Sequence, residues 1–538
     1  MEDGSPPTSL LLTLSTNTIK LQASDQNHQP SSRKPFEEVR VEMKQLLSIA
    51  FPMILAGLLL YGKSAISMLF MGRLGTEALA GGSLAIAFAN ITGYSILSGL
   101  ASGMEPIASQ AFGAKRFHLM GHALQRTTTI LLATSIIISF LWIHSKPILL
   151  LCGQDPSITA IASTYLISST PTLFLQSFIH PLKIYLRSQN LLLPLTAAAC
   201  LALVLHAPIS YWFVYLLGLG TRGIAMAAFV SDLSLLSTMV AYLHLTSSHC
   251  KSWPGWSLTE CFKQWQPLLS LAAPSCVTVC LEWWWYELMI ILSGLLDNAA
   301  DAVAAMGILM QATSLVYVVP SALGLAVSTR VGHELGAGRP ERAQKAAKVA
   351  LGCAAAAGAA AAGAAVVGRG KWGWAFTGDA AVARLAAAAM PVVGLCELGN
   401  CPQTAGCGAL RGSARPGLGA GINMGAFYGV GMPVAVAIGL RMGMGLVGLW
   451  MGMVAAQAAC AAAVVWVVAK MDWGAEARRA KERSCGGGGG GGGGGMEVRG
   501  DEEEGFVFSS TTVSSPKEGG QDSESLVSCM PMKLALGC

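Results

Sequence analysis

Charge is scarce in this chain. Only 12% of its 538 residues are Asp, Glu, Lys or Arg, about half the level of soluble domains, and the deficit is concentrated in the middle of the sequence. An ordinary soluble globular protein is therefore excluded. The chain has no glycine-rich P-loop, so ATP is not expected to drive it, and no Ser-His-Asp or metal constellation that would support an enzyme. The 14 cysteines are scattered, many inside apolar segments, as with Cys276, Cys280, Cys353 and Cys460, and read as buried free thiols. Cys401 and Cys407 lack zinc spacing and have no nearby histidine. No continuous apolar core with a small-residue cleavage site precedes the first long apolar stretch, so no secretory signal is expected. The net charge of +5 does not point to nucleic acid, because membrane proteins gather Lys and Arg on cytoplasmic loops for reasons of insertion.

What the chain has in abundance is apolar length. Hydrophobic residues make up 53% of it, and a window of about 19 residues gives about twelve spans, the first near 46–70 and the last near 444–469. The Ala-rich stretch at 351–367 is the weakest of them, since alanine is only mildly apolar. The fold class is an all-α polytopic membrane protein with twelve transmembrane helices. Residues 1–42 are expected to form a disordered cytoplasmic tail, 43–246 a six-helix lobe, 247–266 a cytoplasmic linker, 267–470 a second six-helix lobe, and 471–538 a disordered cytoplasmic tail containing ten consecutive glycines. An even number of spans places both termini on one side. Connections on that side hold fourteen Lys and Arg against seven on the other, which puts the termini in the cytoplasm.

The halves repeat at about 222 to 225 residues. Leu47-Ser48-Ile49-Ala50-Phe51-Pro52 aligns with Leu269-Ser270-Leu271-Ala272-Ala273-Pro274, and Gln110-Ala111-Phe112-Gly113-Ala114 with His333-Glu334-Leu335-Gly336-Ala337. Arg187 falls opposite Arg411 and Pro208 opposite Pro433. Six spans per copy make the lobes parallel repeats about an axis along the membrane normal, an architecture suited to alternating access across a cleft.

The stretch from Leu269 to Gly294 is long enough to cross a bilayer as a helix and still carries Glu282 and Glu287. An unpaired charge there costs at least a few kcal/mol, so an intramembrane acid is read first as functional; the plainer alternative is a polar contact tying two helices together. Five residues on a helix put the two side chains about 140° apart. One coupling site and one packing or relay site are therefore expected. Trp283, Trp284, Trp285 and Tyr286 cover every side of the helix. At most one or two of them can line a cavity, with Trp283, Trp284 and Tyr286 the candidates beside Asn400, Gln403 and Lys63; there they would hold a planar or cationic solute, and the rest pack or anchor at the interface.

Four motifs in order, Gly103-Met104-Glu105 through Ala114, Leu281-Glu282-Trp283-Trp284 through Glu287, Arg330 through Gly338, and Gly408 through Arg411-Gly412, resemble the multidrug and toxic compound extrusion (MATE) family, in its plant DETOXIFICATION branch. The resemblance covers about residues 43 to 470. It implies a cation-coupled exporter, usually proton-driven in plants, in which the glutamate matching Glu282 gains and loses a proton during transport. Relatives often carry an aspartate on the tenth helix where this chain has Asn400, followed by Gln403. Glu397 lies three residues earlier, nearly on the same helical face as Asn400 and Thr404, and is expected to take over part of the missing acid's role. Its alternative is a hydrogen bond to a neighbouring helix. Pro402 removes an N–H and is expected to bend that helix.

The first helix, in contrast with some microbial relatives, has Lys63 and no carboxylate, so coupling is expected in the C-terminal lobe. Lys63 would attract an anionic solute, neutralise Glu105, or snorkel to an interface. Glu105, Gln110, Arg330 and Glu334 sit near the cytoplasmic helix ends as gate or inter-helix pairs, with a solvated loop role as the alternative. Arg187 and Arg411 are expected to hold the loops after the fourth and tenth helices. The expectation is a monomeric secondary exporter in the lipid bilayer, moving a small organic solute against protons without ATP, cofactor or metal. The plasma membrane is the first choice, and a vacuolar or endosomal/Golgi membrane the next. The rival reading is a non-transporting membrane regulator that keeps the fold; costly acids argue against it.

Overall fold

The computed structural model describes residues 35–246, 252–253, 255, 257–263 and 265–485. Twelve helices in it are long and apolar enough to cross a membrane. They are α1 (Phe36–Arg73), α2 (Thr76–Gly113), α3 (Phe117–Ile143), α4 (Pro156–Ser188), α5 (Leu193–Leu216), α6 (Thr221–Thr246), α7 (Trp265–Ser293), α8 (Ala299–Gly336), α9 (Pro340–Ala375), α10 (Ala380–Gly412), α11 (Pro416–Arg441) and α12 (Gly445–Lys470). The Ala-rich stretch forms the centre of α9. There is no strand among the described residues.

The internal repeat is written into the helix ends. Asp155 caps α4, its carboxylate accepting from the Ser157 amide at 2.8 Å, and Asp379 caps α10 in the same way, accepting from the Ala381 amide at 2.7 Å. The Ser157 hydroxyl and then the first backbone amides hold the exposed Asp155 carboxyl below its usual range. At the other ends, Lys115, Asn190, Gly338 and Ala414 all adopt positive φ, at 59°, 57°, 70° and 62°. Each is followed by an amide reaching back to close the helix, from Arg116 to Ala111, Leu191 to Leu186, Arg339 to Glu334 and Arg415 to Leu410. A π-helical turn ends α5 at Trp212–Leu216 and recurs in α11 at Val436–Arg441. α10 passes Pro391 and Pro402 without a break in its helical backbone.

The lobes meet where α2 packs on α7 and α8, with α1 also against α8. At the contact of the two aligned motifs, a Cβ on Gly113 would strike the main chain of His333 and one on Gly336 that of Gln110. Only glycine lets backbones come this close, and the reciprocity is that of a two-fold axis between the lobes.

Two expectations about the tails need correction. The backbone is already helical from Pro35, so 35–42 extend α1, with Glu42 buried. The flexible extension expected from 471 opens instead with α13 (Trp473–Cys485), whose Trp473, Ala477 and Ala480 are buried against α2, α8 and α9. Spaced three to four apart, they form the apolar stripe of a surface helix. Residues 1–34 and 486–538, including the polyglycine, lie outside the described residues. The expected linker is bounded by the ends of α6 and α7 and is tied to the first lobe by a Ser252–Tyr185 hydroxyl contact at 2.5 Å.

Candidate transport site

Glu282 lies 17 residues into α7, near mid-span, and its side chain is buried. The Tyr317 hydroxyl of α8 is in hydrogen-bonding reach, and Arg411 is within electrostatic range. Glu282 Oε1 has no hydrogen-bond partner. Glu397 on α10 is buried as well; Asn400 Nδ2 donates to its Oε2 at 2.8 Å, and Gln457 of α12 donates to Asn400 Oδ1 at 3.5 Å. Thr404 closes the stripe with a 2.8 Å bond to the Asn400 carbonyl. Glu397 Oε1, too, accepts no close hydrogen bond, with the Thr313 hydroxyl of α8 in reach of the carboxyl. Tyr286 lies in electrostatic range of both glutamates. One lobe thus holds two buried carboxyls, each with one oxygen free for a proton or a water. Glu287 is half-buried and makes no hydrogen bond or ion pair among the described residues.

The tryptophans divide as their angular spread requires. Trp285 is fully buried and its indole N–H donates to Met453 sulfur at 2.8 Å. Trp284 is exposed and donates to the Ile91 carbonyl of α2 at 3.2 Å, bridging the lobes. Trp283 is half-buried. Asn400, Gln403 and Lys63, expected at one solute cavity with Trp283, Trp284 and Tyr286, do not gather at one place. Asn400 and Gln403 are 1% and 0% exposed, closed inside the second lobe in this conformation, and Lys63 belongs to a cluster in the first.

That first-lobe cluster was missed in the sequence. Lys63 pairs with Asp232 of α6, not with Glu105. Gln176 of α4 donates to Asp232 Oδ2 at 3.1 Å. Asp232 stands inside an apolar span as plainly as Glu282 does, so the same rule would have found it. Tyr317 offered no signal, because a tyrosine in a membrane helix is ordinary.

On the side of the termini the lobes are clasped. Glu105 Oε1 is 2.7 Å from Arg187 and 3.5 Å from Arg411, and the Ser328 hydroxyl donates to its Oε2 at 3.0 Å. The two arginines therefore do not merely hold their loops: both turn to one carboxylate at the lobe interface. Gln110 donates to the Gly412 carbonyl at 2.9 Å, and His333 Nε2 to that of Ser188 at 2.8 Å. Arg330 pairs with Glu334 at 2.9 Å and, across the lobes, with Glu42 at 3.0 Å. α13 spans the seam. Its Glu476 holds Arg415 at 3.0 Å, while Arg483 donates to Gln110 Oε1 at 3.1 Å and the Ser484 carbonyl accepts from Arg116 at 2.7 Å. Near mid-span the lobes are joined by the Trp284–Ile91 and Tyr61–Gln311 bonds and by the thiols of Cys276 and Cys280, which reach the Ile96 carbonyl and the Ser95 hydroxyl at 3.8 and 3.7 Å.

Twelve membrane helices in two repeated lobes, clasped together at one end and with two buried carboxyls near mid-span in one lobe, define a membrane transporter of small solutes. The MatE family profile matches the chain twice, at residues 52–212 and 274–437, and the two matches begin 222 and end 225 residues apart, the offset of the repeat. Protein DETOXIFICATION 52 of Arabidopsis thaliana is 49% identical over 477 residues, covering 89% of this chain and 94% of the relative. Protein DETOXIFICATION 49 of the same plant is 52% identical over 82% of this chain and 89% of its own length. The crystal structure of a eukaryotic MATE transporter, AtDTX14, superposes with a TM-score of 0.80 at 30% identity, over 83% of this chain and 99% of that one. The chain belongs to the MATE family, in its plant DETOXIFICATION branch: an integral, multi-pass efflux transporter and not an enzyme.

Proposed function

We infer that the protein exports small organic solutes from the cytosol by proton antiport, with alternating access between its lobes. The reading is carried by Glu282, a carboxyl buried at mid-span with one oxygen unpartnered. Burial favours the protonated form of a carboxyl and exposure to water the ionised form. An acid that the lobe movement alternately covers and uncovers therefore takes a proton on one side of the membrane and yields it on the other. Glu397, held by Asn400, supports it as a second acceptor. The Glu105 cluster acts as the cytoplasmic gate, both termini being cytoplasmic, so the conformation described is closed to the cytosol. The plasma membrane is the first location to examine.

The test is uptake of a panel of labelled organic solutes into sealed vesicles under an imposed pH gradient. Gradient-dependent movement that stops in a normally inserted Glu282→Gln variant supports the reading. Movement of a solute that ignores both the gradient and the substitution overturns proton coupling through Glu282.

A further inference from the structure

The first lobe carries a polar track that proton coupling in the second does not use. Gln176, His180, Lys183 and Arg187 follow one another at steps of four, three and four residues, which places them on one face of α4. At 1.5 Å per residue the track is about 16 Å long. Its two ends are neutralised. At one end Asp232 pairs with Lys63 and accepts from Gln176; at the other Arg187 pairs with Glu105.

The middle is not neutralised. Lys183 and His180 make no hydrogen bond or ion pair among the described residues, although both lie in electrostatic range of Asp232, and Lys183 also in range of Lys63 and Arg187. Both side chains keep part of their surface accessible. An ammonium without a counter-ion inside a membrane span is costly and points to a functional site. The nearest acid is already engaged. Lys63, Lys183, Arg187 and Arg411 against Asp232 and Glu105 leave formal positive charge in excess, before any contribution from His180. Further donors border the cluster: Tyr94 and Tyr165 lie in range of Asp232, and His206 bridges Ser67 and Ser231 at 2.9 Å each. The second lobe has the opposite polarity, two buried carboxyls among amides.

We propose that Lys183, with Lys63 and His180, forms a binding site for the carboxylate of an organic anion, so that amphipathic organic anions are among the solutes this protein exports. Lys183 supplies the primary contact, and Lys63 turns from Asp232 to supply a second. Binding itself does not depend on the export reading; only the claim that the anion is cargo rests on it.

The test is equilibrium binding to the full chain in lipid nanodiscs of three matched probes: 1-naphthoate, the neutral naphthalene-1-carboxamide and the cationic N-methylquinolinium. The expected result is that 1-naphthoate binds at least tenfold more tightly than the carboxamide. Lys183→Met removes that preference, and the charge-balanced double variant Lys63→Met with Asp232→Asn weakens it several-fold. Lys146→Met, at an exposed position, keeps it. The proposal is overturned if the wild type binds acid and amide alike, if monodisperse Lys183→Met protein keeps the preference, or if Lys146→Met loses it equally. The vesicle assay separates the two readings. No anion preference with intact gradient-driven export of an organic cation removes the anion site alone, whereas anion binding without any driven transport removes the export reading alone.

Discussion

Glu105 and Arg411 meet across the lobe interface at 3.5 Å, and Arg411 stands at the repeat position of Arg187, which holds the same carboxylate from within its own lobe at 2.7 Å. A single acid thus receives the same arginine from both copies of the repeat. The acid itself has no counterpart, since the residue 223 positions on is Ser328, which donates to it instead. Symmetry supplies the two cations, and an asymmetric substitution supplies the anion that locks them.

Removing one partner of a buried ion cluster costs about 3–5 kcal/mol because the other charges remain buried. Glu105→Gln is therefore expected to lower the melting temperature and to raise hydrogen exchange in residues 104–113 and 328–336 together, as the closed end loosens. Unchanged exchange in both segments would remove the gate role.

The glycines at the same seam give a prediction with an internal control. Gly113→Ala and Gly336→Ala each thrust a Cβ into the opposite lobe's backbone, and overpacking of this kind costs about 1–3 kcal/mol. Because the positions are repeat-equivalent, the two variants should lose similar stability in thermal unfolding. A loss confined to one of them would mean that the contact is not two-fold in solution.

Glu282, Glu397 and Glu287 of the second lobe should separate by function. Coupling between two ligands is typically 1–3 kcal/mol, so losing the coupling acid should reduce gradient-driven uptake by roughly 5- to 150-fold. Glu282→Gln is expected to show that full loss and Glu397→Gln a partial one, since Asn400 and Gln457 preserve a polar stripe there. Glu287→Gln, which breaks no bond among the described residues, should transport as the wild type does. Equal losses in all three would point to general destabilisation rather than to a proton site.

How far the chain could be read from its letters follows from the range of each signal. Spans and repeat were legible because hydropathy is local and a period of about 222 residues compares one stretch with another. Glu282 and Glu397 were legible because an acid in an apolar run is conspicuous whatever it touches. Asp232 is equally conspicuous as an acid in an apolar run, but its pairing with Lys63, 169 residues away, is set by tertiary packing alone. The fate of Arg187 and Arg411 was hidden for the same reason. α13 was hidden by its charge: EARRAKERS reads as a solvated tail, and only the gate's opposite charges and amides give those side chains their partners.

That last helix carries the remaining prediction. α13 starts on the second lobe, where Glu476 holds Arg415 at 3.0 Å and Arg479 at 2.9 Å, and ends on the first, where Arg483 reaches Gln110. Gln110 in turn donates to Gly412, so one side chain receives the strap and passes a bond back across the seam. A hydrogen bond to a charged group contributes about 1.5–3 kcal/mol. If α13 only covers the surface, Arg483→Ala should free residues 473–485 and nothing else. If it reinforces closure, as its two anchorages imply, the same substitution should raise exchange at 104–113 as well, and combined with Glu105→Gln it should add less than its separate effect, because residues in one network are not independent. Hydrogen exchange of the two single variants and the double variant decides between these outcomes, and an unaltered 104–113 segment in Arg483→Ala would reduce α13 to a cover.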